Sequence, residues 1–314
     1  MNRVKSMEDM VLQLKGIKKR YGAQQVLKQV DVTINKGEIY GLVGKNGAGK
    51  TTLMRILTGL TKQQAGSMWL LGEDGKNGYD AARKRMGSII ETPSFYPFFD
   101  GKTNLEYYNQ QLGGKANVDE VLDLVGLGKS GKKKFKNYSL GMKQRLGIGL
   151  AILNDPEFLV LDEPINGLDP MGIVEVRNLI RKLNQERNIT IIISSHILGE
   201  LESIATNYGF LDKGVILEEL SKEELEHKCR PNWKIRVNQP DNVLALLQET
   251  YGFSQIEMEE GSLILKESLP NPEHVTREIV EKGYDLYEFS MINKSLESYY
   301  LDLIENHKSG REKV

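Results

Sequence analysis

An anion-binding loop is written in Gly44-Lys45-Asn46-Gly47-Ala48-Gly49-Lys50-Thr51. Gly44, Gly47 and Gly49 let the chain turn tightly, so that the N–H groups from Asn46 to Thr52 converge on one concavity that suits an anion. Lys50 is then placed to reach the β- and γ-phosphates of a nucleotide, and the Thr51 hydroxyl to ligand Mg²⁺. A second group is Asp162-Glu163, directly after the apolar run Phe158-Leu159-Val160-Leu161. Asp162 suits Mg²⁺ held through water, and Glu163 suits polarising an attacking water. His196 closes a third run, Thr190 to Ser195. A lone histidine is more often structural, but at the end of a core strand it is well placed to touch a terminal phosphate.

These groups need elements to hold them. Ile39 to Val43 reads as a strand entering the glycine loop, and the segment from Thr52 to Gly59 as the helix leaving it. Phe158 to Leu161 and Thr190 to Ile193 are continuous apolar runs, the pattern of strands buried on both faces of a parallel sheet, where ligands gather at the strand C-termini. Before the loop, Val11 to Leu14, Val26 to Leu27 and Val30 to Ile34 read as three short antiparallel strands, with Tyr21 in the turn after the first. Tyr21 is either a packing residue or an aromatic face for a base. Met68 to Leu71 and Ser88 to Ile90 read as strands, and Tyr79 to Arg85 as a short helix. Glu91 to Phe99 carries two prolines and four aromatics, which fits either a local core or a docking patch for a partner chain. Helical spacing covers Asn104 to Leu112 and Val118 to Val125. A basic linker, Lys129 to Lys136, leads to Ser139, an N-cap opening a helix with Met142, Leu146, Leu150 and Leu153 on one face. Gly167 to Pro170 is a turn, and Ile173 to Asn184 a further helix.

Composition narrows the class. The 42 Lys and Arg balance 43 Asp and Glu, for a net charge of -1 over 314 residues, so no bulk field draws the chain to nucleic acid. One cysteine, Cys229, leaves no intrachain disulfide and no cysteine-cluster metal site, as in a reducing compartment. No run approaches the ~18 apolar residues of a membrane span, and Met1 to Met10 has no apolar stretch like a signal peptide. The expectation is a cytosolic chain that can still dock on a membrane protein.

Taken together, in order and spacing, these motifs resemble the ATP-binding cassette (ABC) ATPases that power membrane transporters, over about Val11 to Leu220. Gly44 to Thr52 match the Walker A loop, Asp162 the Walker B aspartate, Glu163 the catalytic glutamate, Leu168-Asp169 the D-loop and His196 the switch histidine. Tyr21 matches the adenine-stacking aromatic. Tyr138-Ser139-Leu140-Gly141-Met142 is similar to the family signature, usually Leu-Ser-Gly-Gly-Gln; Ser139 and Gly141 keep the positions that face the γ-phosphate bound by the partner cassette. Glu91 stands where most of the family has a glutamine that reaches Mg²⁺ and senses the transmembrane partner. A carboxylate can still ligand the ion, though it adds negative charge beside the phosphates. Glutamate here, followed by an aromatic-rich loop, resembles the cassettes of bacitracin and lantibiotic exporters.

The resemblance implies an α/β fold with a P-loop NTPase (RecA-like) core, an antiparallel β subdomain and a helical subdomain at about residues 91–153, all within 11–220. After an extension at 1–10 and this domain, residues 221–305 are expected to form a small α+β domain. Trp233 to Val237, Asn242 to Thr250, Phe253 to Met258, Ser262 to Leu265, Pro272 to Glu281 and Tyr284 to Met291 alternate as β, α, β, β, α, β, the order of a split βαβ fold, before a helix over Leu296 to Ile304. The remainder, 306–314, is polar and expected to be disordered. The resemblance further implies ATP and Mg²⁺ as cofactors, a head-to-tail homodimer closed by ATP, and separate permease subunits through which alone the chain would touch the inner face of the cell membrane. The rival within the family is a soluble cassette ATPase acting on ribosomes or DNA. Those usually carry two cassettes or a long coiled-coil insertion, and this sequence shows neither.

Overall fold

A computed structural model describes residues 9–91, 93–292 and 295–311. The chain divides into two compact units, one built on the residues up to Lys222 and the other on Glu223–Ser309. Among the described residues no helix is long and apolar enough to cross a membrane.

The first unit opens with a long hairpin, β1 (Met10–Tyr21) against β2 (Gln24–Asn35). The three short strands expected here are therefore two long ones. Their polar interruptions mark the solvent side of the ribbon, and Gly16, at φ 62°, sits where the register slips between Leu14 and Ile17. Tyr21 is the last residue of β1 rather than a turn residue. β3 (Ile39–Val43) is buried at all five positions and leads through the glycine loop into α1 (Lys50–Leu57). β4 (Ala65–Leu70) pairs with β1, and β5 (Glu73–Asp74) with β4, before α2 (Gly75–Arg83) and β6 (Met86–Ile89).

A helical part follows: α3 (Gly101–Gln111), capped by Asp100, α4 (Val118–Leu124), capped by Asn117, and α5 (Leu140–Ala151), capped by Ser139. α5 is buried nearly all round, with Gln144, Gly147, Ile148 and Gly149 inside, so the single apolar face expected of it is one part of its contact surface. Gly87 on β6 lets the end of α5 approach closely, since a Cβ there would stand 1.9 Å from the Ala151 carbonyl oxygen. The core returns with β7 (Phe158–Asp162), α6 (Pro170–Arg187), β8 (Thr190–Ser195), α7 (Leu198–Ile204), β9 (Asn207–Asp212) and β10 (Val215–Ser221).

The strands form a ten-stranded sheet in the order β5-β4-β1-β2-β10-β9-β3-β8-β7-β6. From β9 to β6 every pairing is parallel, whereas the β1, β2, β4 and β5 part is antiparallel and joins through Val215 against Gln29. Leu159, Leu161, Ile191 and Ile193 have no exposed surface. Each contributes about 1.5–3 kcal/mol of burial, which fixes the register of the strands that carry the polar ends. That order sets the C-terminal ends of β3, β8 and β7 side by side, so the glycine loop, His196 and Asp162-Glu163 emerge at one edge.

The second unit holds α8 (Lys222–Lys228), β11 (Asn232–Val237), α9 (Pro240–Tyr251), β12 (Ile256–Glu259), β13 (Ser262–Leu265), α10 (Pro272–Glu281), β14 (Leu286–Ile292) and α11 (Leu296–Arg311). Its antiparallel sheet, ordered β12-β13-β11-β14, is the split βαβ arrangement, packed on Val243 and Leu247 of α9 and Val275 and Ile279 of α10. α11 runs to Arg311, beyond the helix end expected at Ile304 and into the expected tail. Glu305, Lys308 and Arg311 are good helix formers, and their polarity does not break the helix. Residues 1–8 of the expected extension and 312–314 of the tail lie outside the described residues.

Candidate nucleotide-binding and catalytic site

The glycine loop owes its shape to two left-handed residues, Gly47 at φ 81° and Gly49 at φ 118°. A side chain at Gly49 would be strained and would also drive a Cβ to 2.6 Å from Leu27 Cδ2. Gly44 is equally confined, 2.7 Å from the Leu211 carbonyl oxygen for the same added atom. α1 begins at Lys50 with no side-chain cap, so its first N–H groups remain for an anion.

Lys50 is buried, and its ammonium donates to the Gly44 carbonyl oxygen at 2.6 Å and pairs with Glu163 Oε1 at 3.1 Å. Glu163 takes φ 50°, a left-handed conformation that costs a non-glycine residue about 1–3 kcal/mol and turns its carboxylate back toward the loop. Its other oxygen, Oε2, lies 2.6 Å from His196 Nδ1. Asp162 is buried at the end of β7, and its Oδ1 accepts a hydrogen bond from Ser194 Oγ at 2.6 Å. The same Ser194 oxygen accepts from the Glu163 N–H at 3.0 Å. Ser194 thus ties the two acidic residues to the neighbouring strand, opposite Asp162 in the β7–β8 register. The sequence marked Ser194 only as part of a strand end.

A cavity of about 220 Å³ opens here, lined by Asn46, Gly47, Gly49, Lys50, Thr51 and Thr52 of the loop and helix, and by Glu163 and His196. Val26 and Asn166 also line it, and neither was singled out from sequence. A larger cavity, about 620 Å³, lies elsewhere, among Lys36, Trp69, Arg85, Glu157 and Arg187. It touches the opposite ends of the core strands and none of the residues selected for phosphate chemistry.

Other selected residues lie outside this cavity. Tyr21 is half-exposed at the tip of the hairpin, its ring 5.0 Å from Lys19 Nζ. Ser139 Oγ accepts from the Met142 N–H at 3.3 Å as the cap of α5, and Gly141 faces Leu168 and Gly172. Asp169 Oδ1 accepts from the Gly172 N–H at 3.2 Å and caps α6, with Pro170 at its first turn. Glu91, at φ 65°, is exposed and forms an ion pair with Arg55 on α1.

The aromatic loop divides between the two readings open to it. Phe95 is buried, 5.0 Å from Phe135 and 5.9 Å from Tyr108 by ring centroid, as a local core requires. Tyr96, Phe98, Phe99 and the nearby Tyr107 are exposed.

For a divalent cation, Thr51 and Asp162 supply a hydroxyl and a buried carboxylate. No group of three His, Cys, Asp or Glu side chains suited to a metal occurs among the described residues. That donor set fits Mg²⁺, which takes one or two protein oxygens and completes its shell with phosphate and water.

Comparison with known proteins accords with this geometry. A family model described as ABC transporter matches residues 27–166. The bacitracin transport ATP-binding protein BcrA of Enterococcus faecalis is 38% identical over 296 residues, spanning 94% of this chain and 96% of that protein. The lantibiotic transport ATP-binding protein SrtF of Streptococcus pyogenes is 42% identical over 210 residues, 67% of this chain and 90% of its own. Among solved structures, an ATP-binding subunit of an ABC transporter matches with a TM-score of 0.60 at 26% identity, over 69% of this chain and 92% of that one. A dimeric ATP-binding cassette bound to ADP and phosphate shares the fold, with a TM-score of 0.60 at 22% identity over 68% of this chain and 99% of that one.

Proposed function

We propose, from the premise that the chain belongs to the ABC transporter family and is an ATP-hydrolysing subunit, that it powers export of a peptide antibiotic through separate permease subunits at the inner face of the cell membrane. The similarity to BcrA and SrtF, which serve bacitracin and lantibiotic transport, supports the substrate class. The observation that carries the catalytic reading is the convergence of Lys50, Glu163 and His196 on one small cavity beside the Asp162–Ser194 pair.

The Lys50 ammonium is neutralised by Glu163. An arriving γ-phosphate competes for that ammonium with more negative charge, so Lys50 exchanges partners and the Glu163 carboxylate is released to accept a proton from an attacking water. His196 holds Glu163 Oε2 and keeps the carboxylate oriented. Thr51 and Asp162 would hold Mg²⁺, with Glu91 as a further carboxylate donor; the ion would supply charge neutralisation at the phosphate oxygens. The loop N–H groups, Asn46 and Thr52 cradle the phosphates, and Tyr21 stacks on adenine. Ser139, Gly141 and Asp169 serve the site of the partner cassette in a head-to-tail homodimer. Their place outside the cavity of their own chain supports that role.

Glu163→Gln removes the base and leaves Lys50 to hold nucleotide. The variant is expected to lose about 10²–10⁴-fold in hydrolysis while still binding MgATP and running as a dimer in size exclusion. Lys50→Ala is expected to lose binding itself. A Glu163→Gln variant that hydrolyses ATP at the wild-type rate would overturn the assignment. Transport is tested by expressing the chain with its permease in a sensitive strain and measuring survival against bacitracin.

A further inference from the structure

The helical part of the first unit carries a concentration of positive charge that the balanced composition of the whole chain conceals. Lys129, Lys132, Lys133, Lys134 and Lys136 are all exposed, and no carboxylate pairs with any of their ammonium groups among the described residues. Lys102, nearby in the same part of the fold, is by contrast engaged by Asp119 at 2.7 Å. Asp100, bridged to Lys134 through the backbone, spends its carboxylate on the Thr103 N–H as the cap of α3.

This lysine loop is not a loose solvated run. The Phe135 N–H donates to the Phe99 carbonyl oxygen at 2.8 Å and the Lys136 N–H to the Pro97 carbonyl oxygen at 2.9 Å, which stitches the lysines to the aromatic loop. Phe98 is 69% exposed, and its ring lies 5.2 Å from Lys136 Nζ. An exposed phenylalanine flanked by exposed lysines, with Tyr96 and Phe99 exposed beside it, suits the boundary between headgroups and acyl chains.

From this juxtaposition we infer that the 129–136 loop and Phe98 bind the anionic headgroups of a lipid bilayer directly. Lysine is a strongly hydrated point charge, suited to a diffuse negative surface. Recognition of particular phosphates or carboxylates in a nucleic acid or an acidic peptide favours the bidentate fork of arginine, and the loop has none. The inference rests on the reading of the chain as a subunit held at a membrane, and it replaces the expectation that contact runs only through the permease. The lysines would fix the tilt of the subunit on the bilayer.

The test uses the purified full chain without permease, sedimented with vesicles of phosphatidylcholine alone or of phosphatidylcholine with phosphatidylglycerol. In about 0.05 M salt, where the Debye length exceeds ~10 Å, binding is expected to the anionic vesicles only. At about 5-fold per lysine, the combined change Lys132→Gln, Lys133→Gln and Lys136→Gln is expected to lower the partition coefficient about 100-fold. Phe98→Ala is expected to lower it roughly 5–10-fold. Both variants should keep the wild-type ATPase rate, which shows the fold intact. Equal partition of wild type and triple variant, or equal binding to neutral vesicles, overturns the inference. So does loss of single-stranded DNA binding in the triple variant with vesicle binding absent throughout, which would make the loop a nucleic-acid surface. None of these outcomes touches ATP hydrolysis or antibiotic protection, so failure here leaves the transport reading standing.

Discussion

Ser194→Ala isolates the link that holds the acidic pair in place. The hydroxyl donates to the buried Asp162 carboxylate at 2.6 Å and accepts from the Glu163 N–H at 3.0 Å. Removing a hydrogen bond to a charged group costs about 1.5–3 kcal/mol, and leaving a poorly solvated N–H unpaired about 1–3 kcal/mol. The two losses share one atom and are not additive, so a net destabilisation of about 2–4 kcal/mol is expected. Part of the second loss bears on Glu163 itself, whose left-handed backbone is retained only while its surroundings hold it. The ATPase rate is therefore expected to fall about 10-fold or more, with little change in nucleotide affinity, since Lys50 and the glycine loop are untouched. The measurements are urea unfolding followed by circular dichroism, taking the transition of the first unit alone, and steady-state phosphate release. Ser195→Ala is the control, because the Ser195 hydroxyl serves the turn at Ile197, from whose N–H it accepts at 2.9 Å. Should Ser194→Ala lie within about 0.5 kcal/mol of wild type and hydrolyse ATP normally, the bridge would be incidental and the reasoning refuted.

Glu91→Gln loses an ion pair in which both partners are substantially exposed, worth under about 1 kcal/mol, so isothermal titration should find nucleotide affinity within a few-fold of wild type. If Glu91 couples the site to the permease, cells carrying the whole transporter should lose protection while the isolated subunit keeps its ATPase rate. Unchanged protection with both Gln and Ala at 91 would make the residue structural. Deleting 223–314 should leave ATP binding intact, because every candidate phosphate ligand precedes Lys222; a fluorescent nucleotide analogue reads this directly. Burial pushes the Glu219 carboxyl above its ordinary value, against the opposing hydrogen bonds from Tyr40 and Thr33. With a raised folded value, its stabilising protonated form is fully present at acid pH below the unfolded value and is lost as pH rises through the folded one. Glu219→Gln should therefore gain on the wild type in urea midpoint between pH 5 and pH 8, and a constant difference across that range would contradict the shift.

What the sequence made legible depended on how locally each feature is determined. β3, β7 and β8 were readable because strands buried on both faces must be continuously apolar, and the glycine loop because only glycine tolerates φ 118° pressed against Leu27. The long hairpin was not, because Lys15, Lys18, Lys28 and Gln29 break the apolar pattern on its outer face while Leu14, Ile17, Leu27 and Val30 keep the inner face dry. α7, β9 and β10 carry no motif that marks them in the sequence, though β9 pairs with β3 and so walls one side of the loop strand.

The same distinction explains the site. Lys50, Thr51, Asp162, Glu163 and His196 declared themselves by type at the ends of strands or in the glycine loop, but what each touches depends on lateral neighbours. Ser194 reaches Asp162 only because β7 and β8 pair in a register that sets those two residues opposite each other. Glu163 reaches Lys50 only because β8 lies between β3 and β7, at a separation the returning left-handed turn of Glu163 spans. A one-residue slip of β7 would turn Asp162 to the other face of the sheet and carry it from Ser194, however good the local motif. The apolar residues of the three strands, which touch no phosphate, therefore decide whether the acidic pair meets the lysine. An Ile192→Val change on β8, a methylene lost from a fully buried side chain, should cost about 0.5–1.5 kcal/mol of stability and leave the register and the ATPase rate in place, since the neighbouring pairs still specify it.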